Sequence, residues 1–244
     1  MPSFPNLSEQ FNFSTDLSAD ANWDTNHNAT NDLACDGDDV KPPAEDNKTF
    51  AGIHQTAAGS ITQCVAFELK SLHSNGGTFG AVFRAASAAG TGAQYVSTLR
   101  WSGSVWQFSC ERFIGTSHQE TIGTPIDVTT PNSLDWFGFA VTGTGTGTVF
   151  DYWDFGASDP GEFSTWNSHT GGSPTQTQTA NPSTALDSGD YVGLWFYTSN
   201  TPARRHEIDT WYGGDQAAGG GVTVPVLDCG KLLGGFGQLS GGLG

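Results

Sequence analysis

Positive charge is what this chain has least of. Its 9 lysines and arginines face 25 aspartates and glutamates, a formal charge of −16, which argues against an electrostatic grip on nucleic acid or on an anionic membrane. No apolar run approaches the length needed to span a bilayer. The opening MPSFPNLSEQFNFS has neither a basic start nor an apolar segment, so no ordinary secretory signal is expected and synthesis in a cytosol is. Cysteine is sparse and scattered: Cys35, Cys64, Cys110 and Cys229 show no CxxC spacing, which excludes a common zinc site and makes free thiols the expectation. The six histidines, His27, His54, His73, His118, His169 and His206, form no HxxxH or HxH pair. No GxSxG elbow and no P-loop is present, and the glycine repeat at 143–147 lacks the lysine of a phosphate cradle.

Glycine and aromatic side chains are plentiful instead, with Gly 33 and 12% aromatic residues against a single methionine, a composition of short strands and tight turns. In ITQCVAFEL, Ile61, Val65, Phe67 and Leu69 share a face while Thr62 and Glu68 point the other way, the period of a half-buried strand. Similar runs occupy 78–85, 95–101, 105–113, 134–143, 148–156, 191–198 and 206–213. So many strands require two sheets or a barrel. SGS between TLRW and VWQF predicts a hairpin, and TGTGTGT predicts the turn between LDWFGFA and FDYWDFG. Residues 157–190 predict a long crossing from one sheet to the other, with at most a helical turn or two near 158–166.

The two ends differ from the middle. Residues 14–49 are rich in Asp and Asn and read as an acidic, loop-rich stretch within a single domain spanning 1–216. From Ala217 to Gly244 glycine is interleaved with small numbers of apolar side chains. Val224, Leu227, Leu232, Leu233, Phe236, Leu239 and Leu243 are too dispersed for a core and too apolar to be left in water, so this tail is expected to anchor the chain on a partner.

Three groups of residues invite a chemical reading. Glu207 and Asp209 lie two apart in HEIDTWYGGD, about 7 Å along a strand, a separation that glycoside hydrolysis tolerates. The stretch resembles the Glu-x-Asp-x-(x)-Glu strand of laminarinase-like glucanases, but Trp211 and Tyr212 stand where the proton-donating glutamate would be. Without that acid no leaving group is protonated; a polar strand end paired with Arg204 and Arg205 is the expected role. Asp36, Asp38 and Asp39 in CDGDD form an oxygen-rich turn that could hold Ca²⁺ but lacks EF-hand spacing; a solvated acidic turn is the favoured reading, and no other cofactor is expected. Among the aromatic residues, Trp166, Trp153, Tyr152 and Trp211 are candidates for stacking on sugar rings, although core packing is the favoured reading for any one tryptophan. Trp166, in the polar connection, is the one most expected to be exposed.

FNFSTDLSADANW, LDWFGFAVTGTGTGTVFDYWDFG, LDSGDYVGLWFY and EIDTWYGGD in this order resemble the concanavalin A-like lectin/glucanase sandwich, also called laminin-G-like, over roughly residues 8–216. The resemblance implies an all-β, two-sheet antiparallel β-sandwich (jelly-roll) with extended termini, in which the first and last strands pair. Joined to a tail such as LLGGFGQLSGGLG, such a sandwich looks like virion structural proteins of tailed bacteriophages. That likeness implies a non-enzymatic virion protein, a head decoration or auxiliary protein held by its extended ends. Its partners would be other virion proteins and copies of itself, with no nucleic acid and no membrane. The alternatives are a glycan-binding adhesin module of a tail or fibre, touching a host surface glycan, and a degenerate glucanase-like hydrolase.

Overall fold

Alternating strands bury one face each, and this chain satisfies them by stacking two antiparallel sheets. The computed structural model describes residues 7–72, 76–179, 181–199 and 205–216. Its strands are β1 (Leu7–Glu9), β2 (Trp23–His27), β3 (Ala34–Cys35), β4 (Val40–Lys41), β5 (Thr49–His54), β6 (Gln63–Ser71), β7 (Thr78–Ala85), β8 (Ala93–Trp101), β9 (Trp106–Ile114), β10 (Ser117–Val128), β11 (Asp135–Thr142), β12 (Val149–Gly156), β13 (Gln176–Gln178), β14 (Tyr191–Tyr197) and β15 (Glu207–Asp215). One sheet runs β13-β12-β11-β6-β15-β4-β3, with β1 also on β15; the seven-stranded sheet runs β10-β9-β8-β7-β14-β5-β2.

The expected features are found where the residues put them. Leu7 pairs with Gly213 and Glu9 with Trp211, so first and last strands meet. SGS closes the β8–β9 hairpin and the Gly-Thr run closes β11–β12. The connection after β12 does cross sheets, since β12 and β14 lie in different ones, and on its way it adds the short strand β13 and the single-turn helix α1 (Trp166–His169). The acidic stretch 14–49 is more ordered than its composition suggests: it supplies β2, β3 and β4 and buries Leu17, Trp23 and Leu33. Isolated apolar anchors, too few to show a period, hold it down. Residues 217–244, and with them the tail anchors from Val224 to Leu243, lie outside the described residues.

Phe50, Phe67, Phe79, Phe83, Phe137, Phe139, Phe150 and Leu194 fill the space between the sheets. Both outer faces also carry apolar patches. On the first sheet Ala66, Trp136, Trp153 and Phe155 are covered by Trp166, with Phe163 packed beside it. On the seven-stranded sheet Ile53, Val82, Val96, Phe113 and Trp195 form the second patch. There the β7–β8 loop folds over one end: Asn26 Nδ2 donates to the Gly90 carbonyl at 2.6 Å, and a Cβ on Gly90 would sit 3.2 Å from Ile53. The other end stays open, and it is here that a site forms. Cys35, Cys64 and Cys110 are free and buried, as expected of scattered thiols; Cys229 lies outside the described residues.

Candidate functional site

Period-two alternation places Thr49 on β5, Thr78 on β7, Arg100 on β8, Glu111 and Phe113 on β9, and Trp195 and Tyr197 on β14 on the outer face of the seven-stranded sheet. With His118 and Thr121 of β10, and with Trp101, Ser102 and Thr116, they line a cleft of about 600 Å³, within the range of small-ligand sites. Its floor is aromatic: the rings of Phe113 and Trp195 are 4.3 Å apart between centroids, and His118 meets Phe113 edge-on at 5.3 Å. Trp195 is only 2% exposed, whereas Tyr197 is 37% exposed and is the ring that a ligand reaches first. The Tyr197 hydroxyl donates to Asn47 Oδ1 at 3.2 Å, which fixes the ring's tilt.

Above the floor sits a polar layer. Arg100 Nη1 donates to Glu111 Oε1 at 3.3 Å, and Ser109 Oγ donates to the same oxygen at 3.1 Å. Glu111 Oε2 lies 3.9 Å from His118 Nε2, and Thr121 Oγ1 lies 3.3 Å from the same ring nitrogen. Because Arg100 pairs with Gln107 in register and Glu111 with Val96, the guanidinium must run along the sheet to reach its partner. The result is a surface of rings, hydroxyls and one ion pair. Such a surface stacks on flat apolar faces and exchanges hydrogen bonds with many hydroxyls; among the described residues of the lining Glu111 is the one carboxylate.

The residues singled out from the sequence lie elsewhere. Trp166, Trp153, Tyr152 and Trp211 are 0%, 2%, 1% and 0% exposed, so all four take the core reading and their candidacy as a stacking surface is corrected. Tyr152 and Trp211 point between the sheets. The chain around Trp166 is polar, yet its ring is buried on Gly138, where a Cβ would come within 2.7 Å of it. Of the cleft's aromatic residues, Trp101, Trp195 and Tyr197 stand in strands that the alternation predicts, but nothing local distinguishes an outward ring over an open cleft from one under a covering loop.

Asp36, Asp38 and Asp39 do come together, with ligand oxygens within 4.8 Å of one another. Two ammonium groups already serve them. Lys41 pairs with Asp36, and reaches Asp39 and Glu207 at 3.4 Å each; Lys70 pairs with Asp38, and with Asp39 at 3.1 Å. Lys41 holds Asp36 below the usual carboxylate range, and burial pushes Asp39 above it. Asp39 is 3% exposed, so the turn is not simply solvated. A divalent ion would have to displace both lysines, and the donor set as it stands fits an ion-pair network better than a calcium cage.

Glu207 is thus tied to β4 through Lys41. Asp209 sits at a bulge, since Ile208 pairs with Leu69 but Trp211 with Phe67. Its electrostatic neighbour is Glu68 of β6, which burial first, then Asp209 and Asp159, push above the ordinary glutamate value. A carboxyl with a raised folded-state pKa contributes stability below its unfolded value and loses it as pH rises through the folded one. Glu68→Gln is therefore expected to be more stable than the parent near neutral pH and to lose that advantage below about pH 4. Urea unfolding at the two pH values checks this; a destabilised variant at neutral pH would mean that the carboxylate makes a favourable contact.

No protein-family model and no curated protein matches the chain. Among solved structures, the legume lectin-like domain from Entamoeba histolytica overlays with a TM-score of 0.50 at 7% identity, covering 83% of this chain and 96% of that one. The Emp46p carbohydrate recognition domain in its potassium-bound form also gives 0.50, at 8% identity, over 89% of this chain and 100% of that one. These likenesses show the fold: a lectin-like, concanavalin A-like β-sandwich.

Proposed function

We propose that this chain is a non-catalytic glycan-binding domain that takes sugar in the cleft on the outer face of the seven-stranded sheet. The observation that carries the reading is the cleft itself, with exposed Tyr197 beside a layer of threonine, serine, arginine and histidine side chains. Pyranose rings have an apolar face and a rim of hydroxyls, and this lining matches both. The lectin-like fold supports the reading, and one of the similar structures is described as a carbohydrate recognition domain. Hydrolysis fits less well, because it needs two carboxyl groups across the bond and Glu111 is the one carboxylate among the described residues of the lining. The adhesin alternative thereby moves ahead of the head-decoration reading, whose support is the composition of residues 217–244. Attachment to a virion through that tail stays part of the proposal for the whole chain.

A glycan array probed with the purified chain tests the reading. Tyr197→Ala is expected to weaken binding to the retained glycans by about tenfold, the scale of one aromatic stacking contact, with the urea midpoint little changed because the ring is half exposed. An array without retained glycans, or a Tyr197→Ala variant that binds as the parent does, would sink it.

A further inference from the structure

The cleft holds a guanidinium, and a bare guanidinium would select anionic sugars. It is not bare, because a carboxylate is paired with it. Arg100 gives Nη1 to Glu111, whose side chain is 13% exposed and is fixed from below by Ser109 Oγ at 3.1 Å. The second carboxylate oxygen faces His118 Nε2 at 3.9 Å. Arg100 Nε is sealed from water with no hydrogen-bond partner, so a ligand reaches the guanidinium only through its Nη edge, the edge on which Glu111 sits; the side chain as a whole is 35% exposed. Glu111 is thus wedged between the two basic side chains of the lining, and the carboxylate and guanidinium cancel. The remaining polar lining, Thr49, Thr78, Ser102, Thr116 and Thr121, is uncharged.

From this geometry we propose that Glu111 determines the charge class of ligand: by closing Arg100 it makes the cleft a site for neutral glycan and excludes glycans bearing uronic acid or sulfate. The proposal rests on the cleft being the glycan site and adds the class of glycan it takes. An incoming carboxylate would have to expel Glu111 from its contacts or sit beside it as a like charge, and like-charge juxtaposition is heavily penalised in a partly desolvated site. The formal charge of −16 on the whole chain acts in the same direction at long range.

The test compares neutral laminari- and manno-oligosaccharides with oligogalacturonates of equal length on one array, with affinities then measured by calorimetry. The parent should retain neutral oligosaccharides only. E111Q keeps the side chain's shape and its acceptor for Ser109 while freeing the positive charge, and it should gain at least about tenfold in affinity for oligogalacturonate. That gain should weaken as salt is added and disappear in the double variant R100Q/E111Q. Independently of any variant, binding of the parent to neutral oligosaccharide should not change with ionic strength. Parent protein that binds oligogalacturonate as tightly as neutral sugar, a folded E111Q without the gain, or salt-weakened parental binding overturns the charge assignment. Loss of the glycan reading has a different signature, namely neutral binding that is indifferent to Tyr197→Ala.

Discussion

Replacing Arg84 with methionine is expected to lower the unfolding free energy by about 3 to 5 kcal/mol, although among the described residues no carboxylate forms an ion pair with it. Arg84 is wholly buried at the end of β7. Its Nε donates to the Ile61 carbonyl at 2.9 Å, Nη1 to Leu186 at 2.8 Å and Nη2 to Gly143 at 2.6 Å. The fork therefore ties together the segment before β6, the β11–β12 turn and the segment before β14, with the ring of Tyr95 5.8 Å away. Burial pushes the guanidinium pKa down, and the nearby Tyr95 and Asp187 only partly oppose it. Methionine fills part of the volume and leaves the three carbonyls without donors. Lysine should recover less than half of the loss, because one ammonium cannot span three acceptors set out for a planar fork. Glycine should not rescue either: it relieves the backbone, which is held at φ 50, but such strain is worth only about 1 to 3 kcal/mol. Urea unfolding with an unchanged slope checks all three variants. A loss under about 1 kcal/mol for methionine would mean that water replaces the fork.

Trp166→Ala should destabilise the sandwich by about 3 to 5 kcal/mol while leaving sugar binding per folded molecule intact. The indole is fully buried on the outer face of the first sheet, edge-on to Trp153 at 5.1 Å and Phe155 at 5.3 Å, with Phe163 4.9 Å away. Its Nε1 donates to the Gly161 carbonyl at 3.4 Å, and Trp153 Nε1 donates to Asn167 Oδ1 at 2.9 Å, so the ring also pins the α1 segment to the sheet. Removing it uncovers Trp153 and leaves a void over Gly138. The cleft lies on the other sheet, and no lining residue is shared with this cluster. Calorimetric titration of the folded variant separates the alternatives. A variant that folds normally but no longer binds sugar would move the site to Trp166, where the sequence first pointed.

Much of the architecture is legible in the sequence because a strand's period is a local property. The run from Ile61 to Leu69 declares β6, SGS declares the β8–β9 hairpin, and the pairing of EIDTWYGGD with the N-terminal segment follows from the family resemblance. What a period of two does not say is which faces are covered twice. In β12, Phe150 and Tyr152 face the inter-sheet core while Trp153 and Phe155 face outward, and both sets are buried. A reader of FDYWDFG sees aromatic residues on each side and has no local reason to bury one side more than the other.

The sequence by itself determined the strands, their turns, the acidic balance that disfavours nucleic acid, and the missing second acid beside Glu207 and Asp209. Only the tertiary structure decided where the rings end up. Trp166 sits in a polar connection, yet it is buried because a glycine 28 positions earlier, Gly138, leaves room for it on the sheet. Tyr197 sits in an apolar strand, yet it is exposed because the loop that covers Ile53 stops short of it. The cleft is assembled from side chains on β5, β7, β8, β9, β10 and β14. Its chemistry, above all the closure of Arg100 by Glu111, comes from distances across strands, and such distances are set by register and coverage rather than by spacing along the chain.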